Sequence, residues 1–313
     1  MFSRIIVPLD GSKLAEAVLP YVRVFARAFD SKVSLLQAMD LESGSFPADL
    51  IGLMSEAKAE ETRELARRTG EEYLARLEKT MGAIEVERII GAGQPDKVIV
   101  EESGRDSATN LIAMSTHGRS GIGRWIVGSV TDKVTHNVTS SMLVVRPDGE
   151  DNQVEGEAHL RRIIVPLDGS EVSEKALPAA GELARKFSLD ISLIRVVSTV
   201  QLSMAGDWPT GYPDVLGELE NEARDYLGAK ERELTTQGID RVESQVVLGD
   251  TAAQIVDLAR RYGESLVVMT CTGRSGLSRA LLGSIADRVV RSCEAPVLLV
   301  HACGTLCLQK RSL

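Results

Sequence analysis

The chain has 313 residues, of which 43% are hydrophobic and 26% are charged, a composition typical of globular proteins. Its formal net charge of −9 argues against a nucleic-acid partner and against docking on an anionic membrane, because both favour basic surfaces. No apolar run approaches the roughly 18 residues of a membrane span, and the first apolar run begins by Arg4, so the sequence predicts a cytoplasmic protein without a signal peptide.

The sequence is a tandem repeat of one domain. Residues 4–12 return unchanged as residues 162–170, and residues 118–121 return as residues 273–276, at nearly the same offset. Because roughly 150 residues is a common domain size, the repeat predicts two domains rather than a solenoid of short units. The predicted divisions are domain 1 over 1–147, an acidic linker over 148–160, domain 2 over 161–302 and a disordered tail over 303–313.

Alternating strands and helices are predicted in the first half. Ser12 is placed to cap a helix, and Leu14, Val18, Tyr21 and Phe25 lie on one face of that helix. Short apolar runs rich in β-branched residues predict buried strands. The predicted strands are 4–9, 32–39, 84–90, 110–115 and 141–146, and the further helices end near 80, span 94–103 and begin at 128.

The second half repeats this order, which predicts a doubly wound α/β fold with a five-stranded parallel sheet in each domain. Strands that alternate with helices pair in parallel, because each crossover returns the chain to the same end of the sheet. Right-handed crossovers place helices on both faces, and ligands bind beyond the carboxyl ends of the strands, where the strand order reverses. The predicted strands are 162–167, 190–197, 241–247, 265–270 and 296–300.

A glycine-rich connection follows the fourth strand of each half and is interpreted as a phosphate cradle. In the first half, Gly118 lets backbone amides approach an anion, and Gly128 and Ser129 begin a helix whose first N–H groups have no partner within the helix. Ser129 and Thr131 add hydroxyl groups. The alternative is a turn followed by a helix cap, but this connection has about twelve residues whereas most have roughly 2–6, which favours a function.

Asp10 and Asp168 follow the first strand of each half. A carboxylate there can accept a hydrogen bond from a ribose hydroxyl or hold a metal bridged to phosphates. A ligand role is favoured because the end of the strand faces the expected crevice. The alternative is an Asx turn or a helix cap.

Other side chains in the glycine-rich loops have two interpretations each. The loop arginines could clamp phosphate through paired hydrogen bonds or could be solvated. His117 suggests catalysis, but Thr272 stands at that place in the second half, so an essential role is disfavoured. Trp125 could cover a ligand or pack under the loop, and Leu281, which stands nearby in the second half, favours packing. The loop arginines are Arg119, Arg124, Arg274 and Arg279.

All four cysteines lie in the second half, so the duplicated fold cannot depend on disulfides. His301, Cys303 and Cys307 could form a metal clip or could carry free thiols in a tail. The spacing lacks the paired Cys-x-x-Cys of common zinc sites, which favours free thiols and no metal.

Taken together, the motifs resemble those of the universal stress protein family over almost the whole chain. They are Val-Pro-Leu-Asp-Gly-Ser at 7–12, Ser-Thr-His-Gly-Arg-Ser-Gly at 115–121, the Gly-Ser helix start and Ser-Met-Leu-Val-Val-Arg-Pro at 141–147. The resemblance implies a Rossmann-like sheet of the adenine nucleotide alpha hydrolase type, with strand order 3-2-1-4-5. One branch of the family binds ATP through Gly-x2-Gly-x9-Gly-Ser/Thr. Here Ser115 and Thr270 replace the first glycine, and the remaining positions match.

The resemblance also implies a ligand and its contacts. The ligand is ATP, or AMP or ADP, with or without Mg²⁺; Asp10 and Asp168 lie beside the nucleoside, and Ala38 and Val196 offer backbone hydrogen bonds to adenine. The implied nucleotide-binding residues of domain 1 are Pro8, Leu9, Asp10, Ala38, Ser115, His117, Gly118, Arg119, Gly121, Gly128, Ser129, Val130 and Thr131. Those of domain 2 are Pro166, Leu167, Asp168, Val196, Thr270, Thr272, Gly273, Arg274, Gly276, Gly283, Ser284 and Ile285.

The family pairs its domains through the fifth strand. Residues 142–145 and 297–300 are short apolar segments that would favour aggregation if their edges stayed unpaired. We therefore expect an intrachain pseudo-dimer, with a homodimer as a further option.

Three functions remain open at this point. The first is a non-catalytic stress-response protein that senses or buffers adenine nucleotide; the second is a slow ATPase or phosphotransferase; the third is a nucleotide-free protein that docks partners. The sequence favours the first, because it has no P-loop, no general base common to both halves and no lysine in either glycine-rich loop.

Overall fold

The chain divides into two units, which are described separately. The computed structural model describes residues 1–39, 56–116, 128–147, 156–198, 212–271 and 282–301. Unit 1 extends from Met1 to Ala158, and unit 2 begins at His159. The predicted tail at 303–313 lies outside the described ranges. Among the helices in those ranges, none combines the length and the apolar character that crossing a membrane would require.

Unit 1 alternates strands with helices, as the sequence predicts. Its strands are β1 (Arg4–Pro8), β2 (Lys32–Met39), β3 (Val86–Ala92), β4 (Asn110–Ser115) and β5 (Ser141–Val145). Its helices are α1 (Lys13–Glu16), α2 (Leu19–Phe29), α3 (Glu56–Lys79), α4 (Pro95–Gly104) and α5 (Ser129–Asn137).

These five strands form a parallel sheet. β2 lies between β1 and β3, β1 lies between β2 and β4, and β4 pairs with β5. The order 3-2-1-4-5 implied by the family resemblance is therefore confirmed. Ile5, Ile6 and Val7 have no exposed surface, since helices cover both faces of a parallel sheet.

Unit 2 repeats the arrangement. Its strands are β6 (Arg162–Pro166), β7 (Asp190–Val197), β8 (Val242–Leu248), β9 (Ser265–Thr270) and β10 (Val297–Val300). Its helices are α6 (Glu171–Glu174), α7 (Ala176–Phe187), α8 (Tyr212–Thr236), α9 (Thr251–Tyr262) and α10 (Ser284–Ser292). The pairs β6–β7, β7–β8, β6–β9 and β9–β10 are all parallel and give the same order.

The prediction of a single first helix from Leu14 to Phe25 is wrong, because the structure has two helices there, α1 and α2. Proline has no N–H, so Pro20 cannot donate the hydrogen bond to the carbonyl of Glu16 that a continuous helix requires. Proline is tolerated in a first turn, where Pro20 lies. The apolar face survives the break, with Val18 and Phe25 fully buried.

The third strands begin later than predicted. β3 starts at Val86 rather than at Ile84, because the chain is still turning there and the N–H of Ile84 donates to the carbonyl of Met81 at 3.4 Å. In unit 2, β8 is displaced by one residue from the predicted 241–247. β3 also ends two residues later than predicted, at Ala92, and the remaining strand boundaries agree to within one residue.

A buried arginine joins three segments of unit 1. Arg23, on α2, is only 3% exposed. Its guanidinium donates to the carbonyl of Thr80 at 3.1 Å, to the Thr80 hydroxyl at 3.0 Å and to the carbonyl of Gly156 at 2.7 Å. The N–H of Ala158 also donates to the carbonyl of Pro20 at 3.2 Å. Residues 156–158 are therefore fixed against α2 and the end of α3.

Replacing Arg23 by methionine is expected to destabilise unit 1 by about 1–3 kcal/mol, because buried acceptors lose their donors. Arg27→Met is the matched control: Arg27 is exposed and pairs with Glu157, and surface pairs contribute roughly 0–1 kcal/mol. Urea midpoints of both variants measure the difference. Equal midpoints for the two variants would contradict the role given to Arg23.

Candidate functional site

The carboxyl ends of β1, β2 and β4 open onto one pocket of unit 1, with a volume of about 150 Å³. It lies where the strand order reverses, because the chain leaves β1 towards β2 on one side and leaves β4 towards β5 on the other. The described lining residues are Pro8, Leu9, Asp10, Ala15, Leu36, Ala38, Pro95, Ile99, Met114, Ser115, Gly128, Ser129, Val130 and Thr131.

One end of the pocket is formed by the first turn of α5. The cap residue is Gly128, which has no side chain that could accept from the helix amides, and Ser129, Val130 and Thr131 follow it along the pocket wall. The first N–H groups of a helix lack partners within the helix, and the helix dipole adds positive potential there. This end of the pocket is therefore suited to an anion.

Backbone hydrogen bonds fix this helix end to the sheet. The N–H of Gly128 donates to the carbonyl of Thr116 at 2.6 Å, and the N–H of Thr116 donates to the carbonyl of Val145 at 2.8 Å. The buried hydroxyl of Thr131 donates to the carbonyl of Ser115 at 2.9 Å. The sequence predicts that the Thr131 hydroxyl contacts phosphate. In the structure this hydroxyl instead donates the hydrogen bond that attaches α5 to β4.

Asp10 forms the turn after β1. Its Oδ1 accepts from the N–H of Ser12 at 2.9 Å and from the Ser12 hydroxyl at 2.6 Å, while the Ser12 hydroxyl accepts from the N–H of Ala15 at 3.1 Å and so caps α1. Gly11, between them, has φ +86°, a conformation that favours glycine. The Asx turn that the sequence left open is present, and the carboxylate also lines the pocket.

The rest of the pocket lining is mostly apolar, and most of this apolar part was not predicted. Leu36 lies two residues before Ala38 on the same face of β2, and Ile99 lies one helical turn after Pro95 on α4. The sequence signals that could have found them are the alternation of faces along the predicted strand and the i, i+4 spacing along the predicted helix. Ala15 and Met114 complete the unpredicted set. Apolar side chains and a helix N-terminus in one pocket suit a ligand with a flat aromatic ring and a negatively charged group.

The predicted site residues of unit 2 lie at the ends of the equivalent strands and helix. Pro166, Leu167 and Asp168 lie at the end of β6, and Oδ1 of Asp168 accepts from the N–H of Ser170 at 2.9 Å and from its hydroxyl at 2.5 Å. The N–H of Gly283 donates to the carbonyl of Cys271 at 2.7 Å. The remaining described members are Val196 on β7, Thr270 on β9, the cap residue Gly283, and Ser284 and Ile285 on α10.

The predicted loop residues lie outside the described ranges. In domain 1 these are His117, Gly118, Arg119, Gly121, Arg124 and Trp125, and in domain 2 they are Thr272, Gly273, Arg274, Gly276 and Arg279. Cys303 and Cys307 are outside as well. Within the described part of the chain, no group of three or more His, Cys, Asp or Glu side chains is arranged to hold a metal ion.

Thr131→Val should weaken the attachment of α5, because valine keeps the shape of threonine but cannot donate to the Ser115 carbonyl. The net loss expected for such a hydrogen bond is about 0.5–1.5 kcal/mol. The urea midpoint of unit 1 measures it, with Thr131→Ser as the variant that keeps the donor. If the valine and serine variants unfold at the same midpoint, the hydroxyl contributes nothing.

Cys271 occupies in unit 2 the place of Thr116, and burial raises the pKa of its thiol to about 12. Because the thiolate is the reactive form, Cys271 should be alkylated by iodoacetamide at pH 8 at least about tenfold more slowly in the folded protein than in urea. Mass spectrometry of the peptide containing Cys271 measures both rates. Similar rates in the two states would contradict the raised pKa of this thiol.

Comparison with known proteins identifies the family. The protein-family model described as "Universal stress protein family" matches residues 1–146 and 159–301. These two matches cover most of the chain, one in each unit. A universal stress protein of Methanocaldococcus jannaschii is 32% identical over 148 residues, covering 46% of this chain and 84% of that protein. One from Mycolicibacterium smegmatis is 24% identical over 301 residues, covering 95% of this chain and 96% of that protein.

Solved structures agree on the fold over the full length. The crystal structure of a universal stress protein from Archaeoglobus fulgidus has a TM-score of 0.66 at 22% identity, covering 96% of this chain and 98% of that one. A second, from Pseudomonas aeruginosa, has a TM-score of 0.62 at 14% identity and covers 96% of this chain and 93% of that one. The resemblance inferred from the sequence motifs is thus confirmed, and the chain belongs to the universal stress protein family, as two tandem domains of that family.

Proposed function

We propose that this universal stress protein binds ATP in the pocket of unit 1 and acts as a non-catalytic sensor or regulator in the stress response. The observation that supports ATP best is the combination, in one cavity, of apolar side chains with the first turn of α5. Nucleotides carry a flat aromatic ring and an anionic tail, which these two parts of the lining suit.

The described residues suggest how the parts of ATP are held. The adenine ring lies against the apolar wall that includes Leu36, Ala38 and Ile99, and the phosphate oxygens face the amides of Ser129 and Val130. Asp10 lines the pocket between these two ends of the ligand. Magnesium, where it is present, arrives with the phosphates, because the described residues offer no cluster of metal ligands.

A binding role is favoured over catalysis by the chemistry of the described lining residues. Asp10 is the only titratable side chain among them, and its Oδ1 already accepts two hydrogen bonds from Ser12. Phosphoryl transfer usually combines a base with cationic groups that stabilise the transferred phosphate. Neither a lysine nor an arginine is found among the described residues of the pocket wall.

Isothermal titration with ATP and Mg²⁺ should detect binding, and ATP at about a hundredfold excess over Kd should stabilise the protein by about 2.7 kcal/mol. AMP should bind more weakly than ATP if the α5 amides hold the distal phosphates. Gly128→Val should abolish binding at unit 1, because a branched side chain at the helix cap occupies the pocket. Gly283→Val is the matched control, since it leaves the unit 1 pocket intact.

An absence of heat and of thermal stabilisation with ATP, ADP and AMP would contradict the proposal and favour the nucleotide-free alternative. Catalysis is tested separately by single-turnover hydrolysis of bound ATP. A hydrolysis rate above background that disappears in Asp10→Ala and Asp168→Ala would contradict the non-catalytic role.

Three expectations remain predictions from the sequence. They are the pairing of residues 142–145 with residues 297–300, the formation of a homodimer, and a location in the cytoplasm. Light scattering on the purified chain would test the homodimer directly.

A further inference from the structure

Glu16 of unit 1 carries a buried carboxylate that does not line the pocket. It is the last residue of α1, and only 1% of its side chain is exposed. Its Oε1 accepts from Nη2 of Arg76 at 3.1 Å, and Nζ of Lys13 lies 3.5 Å from its Oε2. Because a buried ion pair is often no more stabilising than apolar residues of the same size, stability alone does not explain this glutamate.

Two hydrogen bonds through Ser12 connect Glu16 to Asp10, the carboxylate that lines the pocket. The N–H of Glu16 donates to the carbonyl of Ser12 at 3.3 Å, and the Ser12 hydroxyl donates to Oδ1 of Asp10 at 2.6 Å. α1 has only four residues, and so short a helix has little stability of its own. The position of the Asp10 turn therefore depends on what attaches α1 to the rest of the unit.

The carboxylate of Glu16 attaches α1 to α3. Its partner Arg76 lies on α3, and the guanidinium carbon of Arg76 is 5.4 Å from the centre of the Tyr73 ring, one turn earlier on the same helix. Burial, together with the negative charges of Glu16 and Asp10, raises the pKa of the Tyr73 hydroxyl. Both carboxylates and this part of α3 therefore belong to one polar cluster.

Unit 2 contains the same arrangement, with the cation at a different position of the long helix. Glu174 is the counterpart of Glu16 and ends α6. Its carboxylate accepts from the Tyr226 hydroxyl at 2.9 Å and from Nζ of Lys230 at 2.8 Å, both on α8. The lysine lies four residues after the tyrosine, whereas the arginine of unit 1 lies three residues after its tyrosine. The attachment of the first short helix to the long helix is thus present in both units, although the cation that makes it differs.

We propose that Glu16 is a positioning residue for nucleotide in unit 1: by attaching α1 to α3, it holds the carboxylate of Asp10 where that group accepts hydrogen bonds from the ribose hydroxyls. Glu16 does not touch the ligand and acts through Asp10. This role rests on the proposed function, since it presumes that ATP occupies the pocket of unit 1. Because residues of one hydrogen-bonded network are energetically coupled, the two carboxylates should contribute to affinity as a single unit.

Titration with ATP and Mg²⁺ in the Gly283→Val background, which leaves unit 1 as the site measured, tests this role. Glu16→Gln keeps the size of the side chain but removes its charge, and should weaken ATP binding about fivefold or more, a loss common between coupled neighbours. Once Asp10→Asn is present, adding Glu16→Gln should cause no further loss, because the group it positions is gone. Glu72→Gln is the matched control, since Glu72 is exposed and pairs with Arg68 on the same helix α3.

A second ligand separates positioning of Asp10 from a general distortion of the pocket. The analogue 2′,3′-dideoxy-ATP keeps the adenine and the triphosphate but lacks both ribose hydroxyls. Displacement of bound ATP measures its affinity, which should be the same in Glu16→Gln as in the parent protein. A distorted pocket would instead weaken both ligands by the same factor.

Thermal melting without ligand checks that each variant folds. If Glu16→Gln does not fold, Arg76→Met removes the partner cation at an exposed site and should weaken ATP binding, whereas Arg76→Lys keeps the charge and should not. Unchanged ATP affinity, equal losses for the two ligands or a further loss in the double variant would overturn the inference and leave the proposed function intact. A chain that binds no ATP would contradict the proposed function itself, and this inference with it.

Discussion

The position of β1 beside β4 is the constraint on which the candidate site depends. The two strands pair in parallel at Ile5 and Leu111, yet the connections that leave their carboxyl ends run in opposite directions across the sheet. Right-handed crossovers in opposite directions place their helices on opposite faces, so no helix covers the gap above these two strands. The N–H of Leu9 still bonds to the carbonyl of Leu36 at 2.8 Å, which keeps the chain in the plane of the sheet as far as the rim of the gap. The order and the crossovers of the strands are therefore enough to create the pocket, whichever side chains line it.

The same main-chain hydrogen bond fixes the start of the helix in both units. The backbone of the two sites can therefore stay alike while their side chains differ. The bond from Gly128 to Thr116 recurs between Gly283 and Cys271, at 2.6 and 2.7 Å. Only the carbonyl of the second partner takes part, so threonine and cysteine serve equally well. The cap glycines, Gly128 and Gly283, cannot be exchanged in the same way, because a residue without a side chain leaves the first turn of the helix accessible. The same glycine therefore begins this helix in both units, whereas Thr116 of unit 1 is Cys271 in unit 2.

The sequence predicted the strands and the polar end of the site better than it predicted the apolar wall. Apolar runs such as 110–115 are buried on both faces, so they stand out as strands without any knowledge of their neighbours. Asp10 and Gly128 stand out because each is of a residue type that strand ends and helix caps favour, and each recurs in the second half, as Asp168 and Gly283. Leu36 and Ile99 look like any core residue until the register brings them to one cavity. Pro20 predicts the break before α2, because it lacks an N–H, whereas the apolar spacing across it is that of one continuous helix.

An anionic ligand is compatible with a chain of net charge −9, because the electrostatic potential at the site depends mainly on groups close to it. Distant surface charges are screened within about 8 Å at physiological ionic strength, whereas the amides of α5 lie at the pocket wall itself. Such amides are neutral donors held in place by the bonds of Gly128 and Thr131, so they need no reorganisation and no long cationic side chain to be ordered. A site of this kind recognises its anion by the geometry of several weak donors acting together. For the ATP proposed above, affinity then depends strongly on how fully the ring packs against the apolar part of the lining.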